Sequence, residues 1–256
     1  MHADVAKSDD VLTLAMRTVR RTVASGLFPF LSRYYSSHAT TCPDSILTLL
    51  GIANLTRRRD FVTLVRLVER IEDFQGAILE CGVYRGATLL GMAHRLRLRG
   101  LHNVKIYGCD SFEGFPEPTQ DDAGENASFH PHVHKGYFGD TRYERLLARI
   151  RALGYDDQIR LVKGFFENTL ETLNGNRFSL VHLDVDLYGS YQTCLHWAYP
   201  RTLPGGYIVL DEYDFSEDVY PGAKRAIDEF LADKPEKLER FPAPEVTVPR
   251  YFIKKA

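Results

Sequence analysis

Five short apolar runs alternate with amphipathic segments between residues 77 and 232, and this alternation constrains the fold more than any other feature. Short continuous apolar runs are typical of strands buried on both faces of a parallel sheet. Apolar residues at helical spacing between them predict helices that cover those faces. The sequence therefore predicts an α/β fold with helices on both faces of a mostly parallel sheet. The predicted strands are Ala77–Cys81, Val104–Cys109, Ile159–Lys163, Phe178–Asp184 and Tyr207–Leu210, and the predicted helices are Ala87–Arg99, Tyr143–Leu153, Tyr191–Tyr199 and Ala223–Ala232, preceded by one from about Asp60.

The two ends of the chain add to this pattern. Thr247–Lys254 predicts a closing strand, antiparallel at the sheet edge, where a proline is tolerated. Residues 1–58 predict an N-terminal helical extension or lid beside a main domain over residues 59–256, because apolar residues from Val11 to Val23 follow helical spacing. We expect Gly26, Pro29 and Pro43 to end that helical pattern. A loosely packed terminal arm is the alternative, and an apolar helix there could pair subunits in a homo-oligomer.

Composition excludes several classes of partner. The chain has 256 residues and a formal net charge of −2, so it lacks the basic surface that binding to nucleic acid requires. Three arginines interrupt the apolar stretch from Val11 to Leu31, which argues against a membrane span. Charged residues near the N-terminus do not fit a signal peptide, and the four cysteines form no C-x-x-C pair. We therefore expect a cytoplasmic protein.

A glycine-containing turn follows the first predicted strand. Gly82 and Gly86 lie between that strand and a helix, where backbone amides can approach a carboxylate or phosphate. The spacing is not G-x-G-x-x-G, which disfavours a dinucleotide site. Asp110 ends the second strand, where a carboxylate can accept hydrogen bonds from ribose hydroxyls. A turn or capping role is the alternative for Asp110, and Glu80 adds a second carboxylate near this turn.

The third predicted strand ends in Gly164-Phe165-Phe166, near the expected adenine pocket of such a sheet. Either phenylalanine could pack on a purine ring, although aromatic residues at this position are more often part of the core. With the turn described above, the sequence predicts a nucleoside-containing cofactor that carries an ammonium group rather than a pyrophosphate. The candidate cofactor-binding residues are Glu80, Gly82, Tyr84, Gly86, Thr88, Asp110, Ser111, Gly164, Phe165 and Phe166.

Carboxylates follow the fourth and fifth predicted strands. Asp184, Asp211 and Glu212 would converge there, because neighbouring strands lie about 4.8 Å apart. No cationic residue nearby in the sequence is placed to neutralise them, with His182 as one candidate. Such oxygen ligands suit Mg²⁺, which would lower the pKa of a substrate hydroxyl, with Asp184 as general base. Other polar residues here are read as helix caps or turn residues: Asp186, Ser190 and Asp214.

A long segment from Ser111 to Phe138 separates the second strand from the next helix. Loops of this length in compact domains are often lids over active sites. His130, His132 and His134 alternate within it, which is also compatible with a metal site. We prefer a solvated lid for this segment.

Taken together, these motifs resemble the macrocin O-methyltransferase family, whose members methylate sugar hydroxyls on macrolide and aminocoumarin natural products. The resemblance covers roughly residues 60 to 235. Members with a sugar substrate have Asp-Asp-Tyr at the position where this chain has Asp211-Glu212-Tyr213. The motifs that carry the resemblance are Leu79-Glu80-Cys81-Gly82-Val83, Asp110-Ser111-Phe112-Glu113-Gly114-Phe115-Pro116, Gly139-Asp140-Thr141, Gly164-Phe165-Phe166 with Thr169-Leu170, His182-Leu183-Asp184 with Asp186-Leu187-Tyr188, and Asp211-Glu212-Tyr213.

The resemblance implies a class I methyltransferase fold, S-adenosylmethionine and Mg²⁺. Glu80, Gly82 and Asp110 match cofactor positions of the family, while Asp184, Asp211 and the following acidic residue match its metal positions. The predicted function is methylation of a hydroxyl on a small molecule such as a glycosylated natural product. The alternatives are a nicotinamide-linked oxidoreductase or epimerase, and a non-catalytic binding protein with the same fold.

Overall fold

The computed structural model describes residues 26–38, 41–52, 58–124, 128–213, 219–241 and 250–256. Three sequence predictions lie outside these ranges: the helix from Val11 to Val23, the first part of the closing strand, and the role of Asp214. The division of the chain at residue 58 stays a prediction.

The helices and strands of the described residues follow the predicted alternation. The largest differences in bounds are at β5, which begins five residues before its predicted start, and α7, which begins three residues early. Helix α1 covers residues 26–38, and the other elements are α2 (Asp44–Leu49), α3 (Arg58–Arg70), β1 (Ala77–Cys81), α4 (Ala87–Leu98), β2 (Ile106–Asp110), α5 (Tyr143–Ala152), β3 (Ile159–Lys163), α6 (Phe166–Thr169), β4 (Phe178–Leu183), α7 (Tyr188–Ala198), β5 (Thr202–Leu210), α8 (Pro221–Leu231), β6 (Glu239–Arg240) and β7 (Tyr251–Lys254).

The strands form one sheet in the order β3-β2-β1-β4-β5-β7-β6. The five strands from β1 to β5 are parallel, and β7 runs antiparallel to both β5 and β6. The antiparallel direction of the closing strand is confirmed. Its predicted edge position is wrong, because the two-residue strand β6 pairs along its outer side.

Helices cover both faces of this sheet, as the apolar strands predicted. Every residue of β4 is buried, and alternate residues face opposite sides. Leu180 packs in a core with Leu64 of α3 and Leu90 of α4. Val181 packs on the other side with Leu195 of α7 and Ile227 of α8. The two apolar layers hold the strand ends in fixed positions.

The segment before residue 53 contributes to the same core. Pro29 lies within helix α1, so the predicted break at this residue is wrong, whereas Gly26 is the first described residue and the break predicted there is not tested. The buried ring of Tyr35 explains this result, because its hydroxyl hydrogen-bonds to His94 on α4 and to Tyr155. Packing against the domain outweighs the weak local preference for a break. Pro43 does precede α2, as predicted for a helix boundary.

Two predictions from composition can be compared with the described residues. None of their helices is long and apolar enough to cross a membrane. All four cysteines are free thiols, and Cys81 and Cys109 are buried within the sheet, as expected for small apolar side chains.

Candidate active site

A cavity opens at the carboxyl ends of the central parallel strands. It contains about 1070 Å³ of empty space, part of which is open to solvent. The predicted cofactor residues that line it are Gly82, Tyr84, Asp110, Ser111, Phe165 and Phe166.

Gly82 brings the turn after β1 into direct contact with the end of β4. Its φ is +83°, and a Cβ atom there would lie 1.7 Å from the backbone oxygen of Asp184. No other amino acid fits this approach without moving one of the two strand ends. The absence of a side chain therefore sets the distance between the turn and the acidic residues.

Asp110 holds the same turn through backbone hydrogen bonds. Its Oδ2 accepts from the amides of Val83 and Tyr84, both at 2.8 Å, and its Oδ1 accepts from the amide of Phe112 at 2.6 Å. Hydrogen bonds between a carboxylate and backbone amides are charge-assisted and short. The carboxylate thus fixes the turn and also borders the cavity.

The remaining predicted cofactor residues are not among those that line the cavity. Glu80 is fully buried, and its Oε1 lies 2.9 Å from Nδ1 of His182. Gly86 precedes α4 with a φ of +79°, and a Cβ atom there would lie 2.5 Å from a methyl of Leu146. Thr88 is in the first turn of α4, and Gly164 is the residue after β3.

Carboxylates gather where β4 and β5 end. Oxygen atoms of Asp184, Asp186 and Glu212 lie within 4.8 Å of one another, and Asp184 and Asp211 form a second such group with His182. The four acidic residues also line the cavity. We refer to Asp184, Asp186 and Glu212 as the acidic triad.

The prediction that Asp186 or Ser190 caps α7 is wrong. The N-cap residue is Leu187, and the first amide of the helix, that of Tyr188, donates to the carboxylate of Asp122 at 2.7 Å. Asp186 instead has a φ of +59° and reaches the acidic triad. Ser190 is within α7, where its side chain borders the cavity. The D-x-D spacing after β4 was the sequence signal that could have identified Asp186.

Glu212 is the most deeply buried member of the triad, at 3% exposure. It accepts a hydrogen bond from the hydroxyl of Tyr191, and the amide of Asp186 lies 3.4 Å from its Oε2. Burial, together with the nearby carboxylates of Asp186, Asp211 and Asp184, raises the pKa of Glu212 well above its usual range. Both causes disfavour the charged form of this side chain.

Asp211 has a different environment, which includes a cation that sequence reasoning missed. Arg250 lies 39 residues further along and is 2% exposed; one nitrogen lies 2.8 Å from Oδ1 of Asp211, and another donates to its backbone oxygen at 2.6 Å. Burial alone would lower the pKa of His182, but interactions with Asp211 and Glu80 raise it to about 10. The expectation that no cation of this chain neutralises Asp211 is therefore wrong, because Arg250 contacts it in the folded protein. The pairing of β7 with β5 brings Arg250 beside Asp211.

Several described residues of the segment from Ser111 to Phe138, among them Gly114, Phe115 and Phe138, line the cavity. Phe115 packs with Val133 and with Leu187, which precedes α7. Among the described residues, no group of potential metal ligands includes its three histidines. His132 instead stacks on Tyr137. The lid role stays a prediction.

Backbone strain is concentrated around this cavity. Four described residues other than glycine have a positive φ, and three of them line the cavity: Tyr84, Phe138 and Asp186. Such conformations cost free energy and often mark functional sites. The strain therefore supports the cavity as the functional centre.

Comparison with known proteins agrees with this location. Residues 14–239 match the macrocin-O-methyltransferase (TylF) family. The chain belongs to this family. One relative is the 8-demethyl-8-(2,3-dimethoxy-alpha-L-rhamnosyl)-tetracenomycin-C 4′-O-methyltransferase of Streptomyces olivaceus. It is 34% identical to this chain over 172 residues, which are 67% of this chain and 64% of the relative. The mycinamicin III 3″-O-methyltransferase of Micromonospora griseorubida is 30% identical over 159 residues, 60% of each chain.

A solved structure also resembles this chain. The O-methyltransferase NovP superimposes with a TM-score of 0.62 at 25% identity, over 78% of this chain and 81% of that one. The predicted class I methyltransferase fold is confirmed by this likeness and by the sheet. The chain spans less than two thirds of the length of the two curated relatives above, at 64% and 60%.

Proposed function

We propose that this member of the family is an S-adenosylmethionine-dependent O-methyltransferase that acts on a hydroxyl of a small molecule such as a glycosylated natural product. The observation that carries the proposal is one cavity bordered by the Asp110-bound turn on one side and by acidic residues on the other. The first side suits a nucleoside cofactor, and the second suits activation of a hydroxyl.

In this proposal, S-adenosylmethionine lies against the turn after β1. Gly82 and Tyr84 border the cavity there, and Asp110 fixes their backbone. The free electron pairs of the Asp110 carboxylate would accept hydrogen bonds from ribose hydroxyls. Phe165 and Phe166 border the cavity at the end of β3 and would pack on the adenine ring.

The residues at the ends of β4 and β5 fit a divalent cation. They offer hard oxygen donors. Burial and three nearby carboxylates raise the pKa of Glu212, and a bound cation would favour its charged form instead. Carboxylates from Asp184, Glu212 and one or both of Asp186 and Asp211 would hold Mg²⁺. When bound, Mg²⁺ would polarise the acceptor hydroxyl and lower its pKa.

Asp184 would act as the general base. It borders the cavity next to Gly82, at the boundary between the cofactor side and the acidic side. Its carboxylate would take the proton of the acceptor hydroxyl. S-adenosylmethionine would supply the methyl group to that oxygen and leave as a neutral thioether that keeps the electron pair of the carbon–sulfur bond. The walls of the cavity hold the reacting atoms in line.

The opposite wall supports a ring-containing acceptor. Phe115, Phe138 and Tyr220 border the cavity. The ring of Phe115 makes edge contacts with the other two rings, with 5.4 Å between its centroid and that of Phe138 and 6.1 Å to that of Tyr220. Aromatic faces suit sugar rings and polycyclic aglycones. According to their names, one relative methylates a rhamnosyl-bearing tetracenomycin C at a 4′ oxygen, and another methylates mycinamicin III at a 3″ oxygen.

The test is incubation of the purified protein with labelled S-adenosylmethionine and a panel of glycosylated natural products. We expect label in at least one acceptor, its loss in chelator, and its return with added Mg²⁺. Asp184→Asn should abolish transfer, while Asp233→Asn, at an exposed carboxylate, should not. Binding of S-adenosylmethionine without transfer to any acceptor would favour the non-catalytic alternative. Reduction of a nicotinamide cofactor would favour the oxidoreductase.

A further inference from the structure

A buried carboxylate in the segment after β2 is bonded to a helix that begins beside the cavity. Asp122 is 4% exposed and ends a 3₁₀ turn over residues 120–122. Its Oδ1 accepts from the amide of Tyr188 at 2.7 Å, and its Oδ2 accepts from the amide and the hydroxyl of Thr119 at 2.9 and 3.3 Å. Asp122 therefore joins its own segment to the first residue of α7.

Helix α8 reaches the same carboxylate through a glycine in its first turn. A Cβ atom at Gly222 would lie 2.8 Å from Oδ1 of Asp122 and 2.9 Å from Cβ of Tyr188. These distances are too short for a side chain, so only glycine lets the three parts of the chain approach this closely. We refer to Thr119, Asp122, Tyr188 and Gly222 as the Asp122 junction.

Each part of the chain that meets at the Asp122 junction also supplies a residue to one aromatic contact. Phe115 belongs to the same segment as Asp122, while Leu187 and Tyr220 immediately precede α7 and α8. Phe115 packs with Leu187, and its ring makes an edge contact with the ring of Tyr220. Phe115 and Tyr220 border the cavity on the side proposed for the acceptor. The junction therefore connects the elements that carry this wall.

A carboxylate is well suited to this connection. The first amides of a helix have no partner within the helix, and the helix dipole favours negative charge at that end. Hydrogen bonds to a charged acceptor are also shorter and stronger than those between neutral groups. Asp122 itself is not among the residues that line the cavity, and none of the contacts given above involves the turn after β1.

We propose that Asp122 is a positioning residue for the acceptor. It holds the segment after β2 against the starts of α7 and α8, and this sets the position of Phe115 relative to Tyr220. The inference rests on the proposed function, because it concerns the binding of the acceptor in methyl transfer. It predicts that acceptor binding can be weakened without a change in cofactor binding.

The first test compares the kinetics of the wild type and Asp122→Ala with an acceptor that the wild type labels. The KM for the acceptor should rise about tenfold or more, because small displacements of binding groups have effects of at least this order. The KM for S-adenosylmethionine and the affinity for S-adenosylhomocysteine should not change. A general loss of stability would not separate the two substrates in this way. Asp122→Asn keeps an oxygen for the amide of Tyr188 and should restore part of the acceptor binding.

Two further variants separate the junction from its surroundings. Asp121→Asn is the matched control, because its exposed carboxylate pairs with Arg225 at 2.5 Å, and both KM values should stay at the wild-type level. Gly222→Ala removes no hydrogen-bonding group but adds a methyl group against Oδ1 of Asp122, so it should also raise the KM for the acceptor. This variant keeps the inference testable if Asp122→Ala does not fold.

Hydrogen exchange tests the junction without any acceptor. The amide of Tyr188 should exchange faster in Asp122→Ala than in the wild type, and at the wild-type rate in Asp121→Asn. Unchanged exchange in Asp122→Ala, or an unchanged KM for the acceptor in a folded Asp122→Ala or Gly222→Ala, overturns the inference.

The remaining outcomes distinguish the inference from the proposed function. Equal losses of acceptor and cofactor affinity overturn the inference, because Asp122 would then support the whole cavity. Absence of transfer by the wild type overturns the proposed function and the inference with it. A wild type that transfers label, with variants at Asp122 and Gly222 that match it, overturns the inference alone.

Discussion

Asp110 and Glu212 are carboxylates at the two ends of the same cavity, but their surroundings are opposite. Three backbone amides donate to Asp110. Glu212 lies among three other carboxylates, which together with burial raise its pKa. The first carboxylate accepts from backbone amides, whereas the second lies among like charges that disfavour its charged form.

The comparison teaches that carboxylates in one cavity can serve different purposes. A carboxylate whose donors come from the chain stabilises the fold and shapes the cavity. A carboxylate that lies against like charges lowers stability and is explained by a ligand that supplies the missing positive charge. Asp211 belongs with Asp110 in this respect, because Arg250 and His182 contact it.

The largest effect is expected from removing the cation that balances Asp211. Arg250→Met should lower the free energy of unfolding by up to about 3–5 kcal/mol, because it removes the nearer of the two cations that contact the buried carboxylate of Asp211. Chemical denaturation of the metal-free protein measures this. In the exposed pair of Lys224 and Asp228, at 2.8 Å, the matched change Lys224→Met should cost less than about 1 kcal/mol. Equal losses in the two variants would remove the distinction between paired and crowded carboxylates.

Mg²⁺ should stabilise the protein by binding at the acidic triad. A ligand at a hundred times its dissociation constant stabilises the folded state by about 2.7 kcal/mol. We expect thermal unfolding of the wild type to shift upward with Mg²⁺, and the shift to disappear in Asp184→Asn. Asp110→Asn should keep the shift, because its carboxylate is already bonded to backbone amides. A shift of the same size in Asp184→Asn would mean that Mg²⁺ binds elsewhere.

Asp110 should control cofactor affinity rather than cation affinity. Asp110→Ala removes the proposed charge-assisted hydrogen bonds to the ribose hydroxyls of the cofactor, each worth about 1.5–3 kcal/mol. The affinity for S-adenosylhomocysteine should therefore fall by about tenfold or more, since 1.4 kcal/mol corresponds to a factor of ten. Calorimetry on the folded variant measures this change. Unchanged affinity would show that the turn after β1 keeps its shape without Asp110 or that the cofactor does not use it.

The sequence was sufficient for the strands because their apolar runs are short and continuous. It also placed Asp184 and Asp211 at neighbouring strand ends, since parallel strands present their carboxyl ends at one edge of a sheet. Helix α1 was missed because Gly26 and Pro29 disfavour helix locally, whereas the buried contacts of Tyr35 decide the structure.

The charge balance of the site could not be predicted in the same way. Arg250 reaches Asp211 only because β7 pairs with β5, and this pairing depends on tertiary structure. The sequence after β4 fitted a capping role for Asp186, because aspartate is common at helix starts. Its left-handed backbone, which sequence periodicity does not report, directs it elsewhere.

The smallest effect is expected from Glu212→Gln. This substitution also distinguishes most directly a carboxylate bonded to backbone amides from one that lies among other carboxylates. Glu212→Gln keeps the shape of the side chain and an oxygen that can accept from Tyr191, while it removes one negative charge from a crowded, buried group. In chelator, at a pH above the raised pKa of Glu212, the variant should be more stable than the wild type by about 1 kcal/mol, because like charges no longer repel and less charge is desolvated. Below that pKa the wild-type side chain is protonated, and the difference should disappear. With saturating Mg²⁺ the order should reverse, since the amide is a weaker ligand than a carboxylate. Glu229→Gln is the matched control, because Glu229 accepts from Tyr188 at 2.7 Å on the exposed surface, and it should change little in either condition. Denaturation curves of both variants with and without Mg²⁺ measure these changes. If Glu212→Gln is less stable than the wild type in chelator, Glu212 belongs with Asp110 among the carboxylates that the chain itself stabilises.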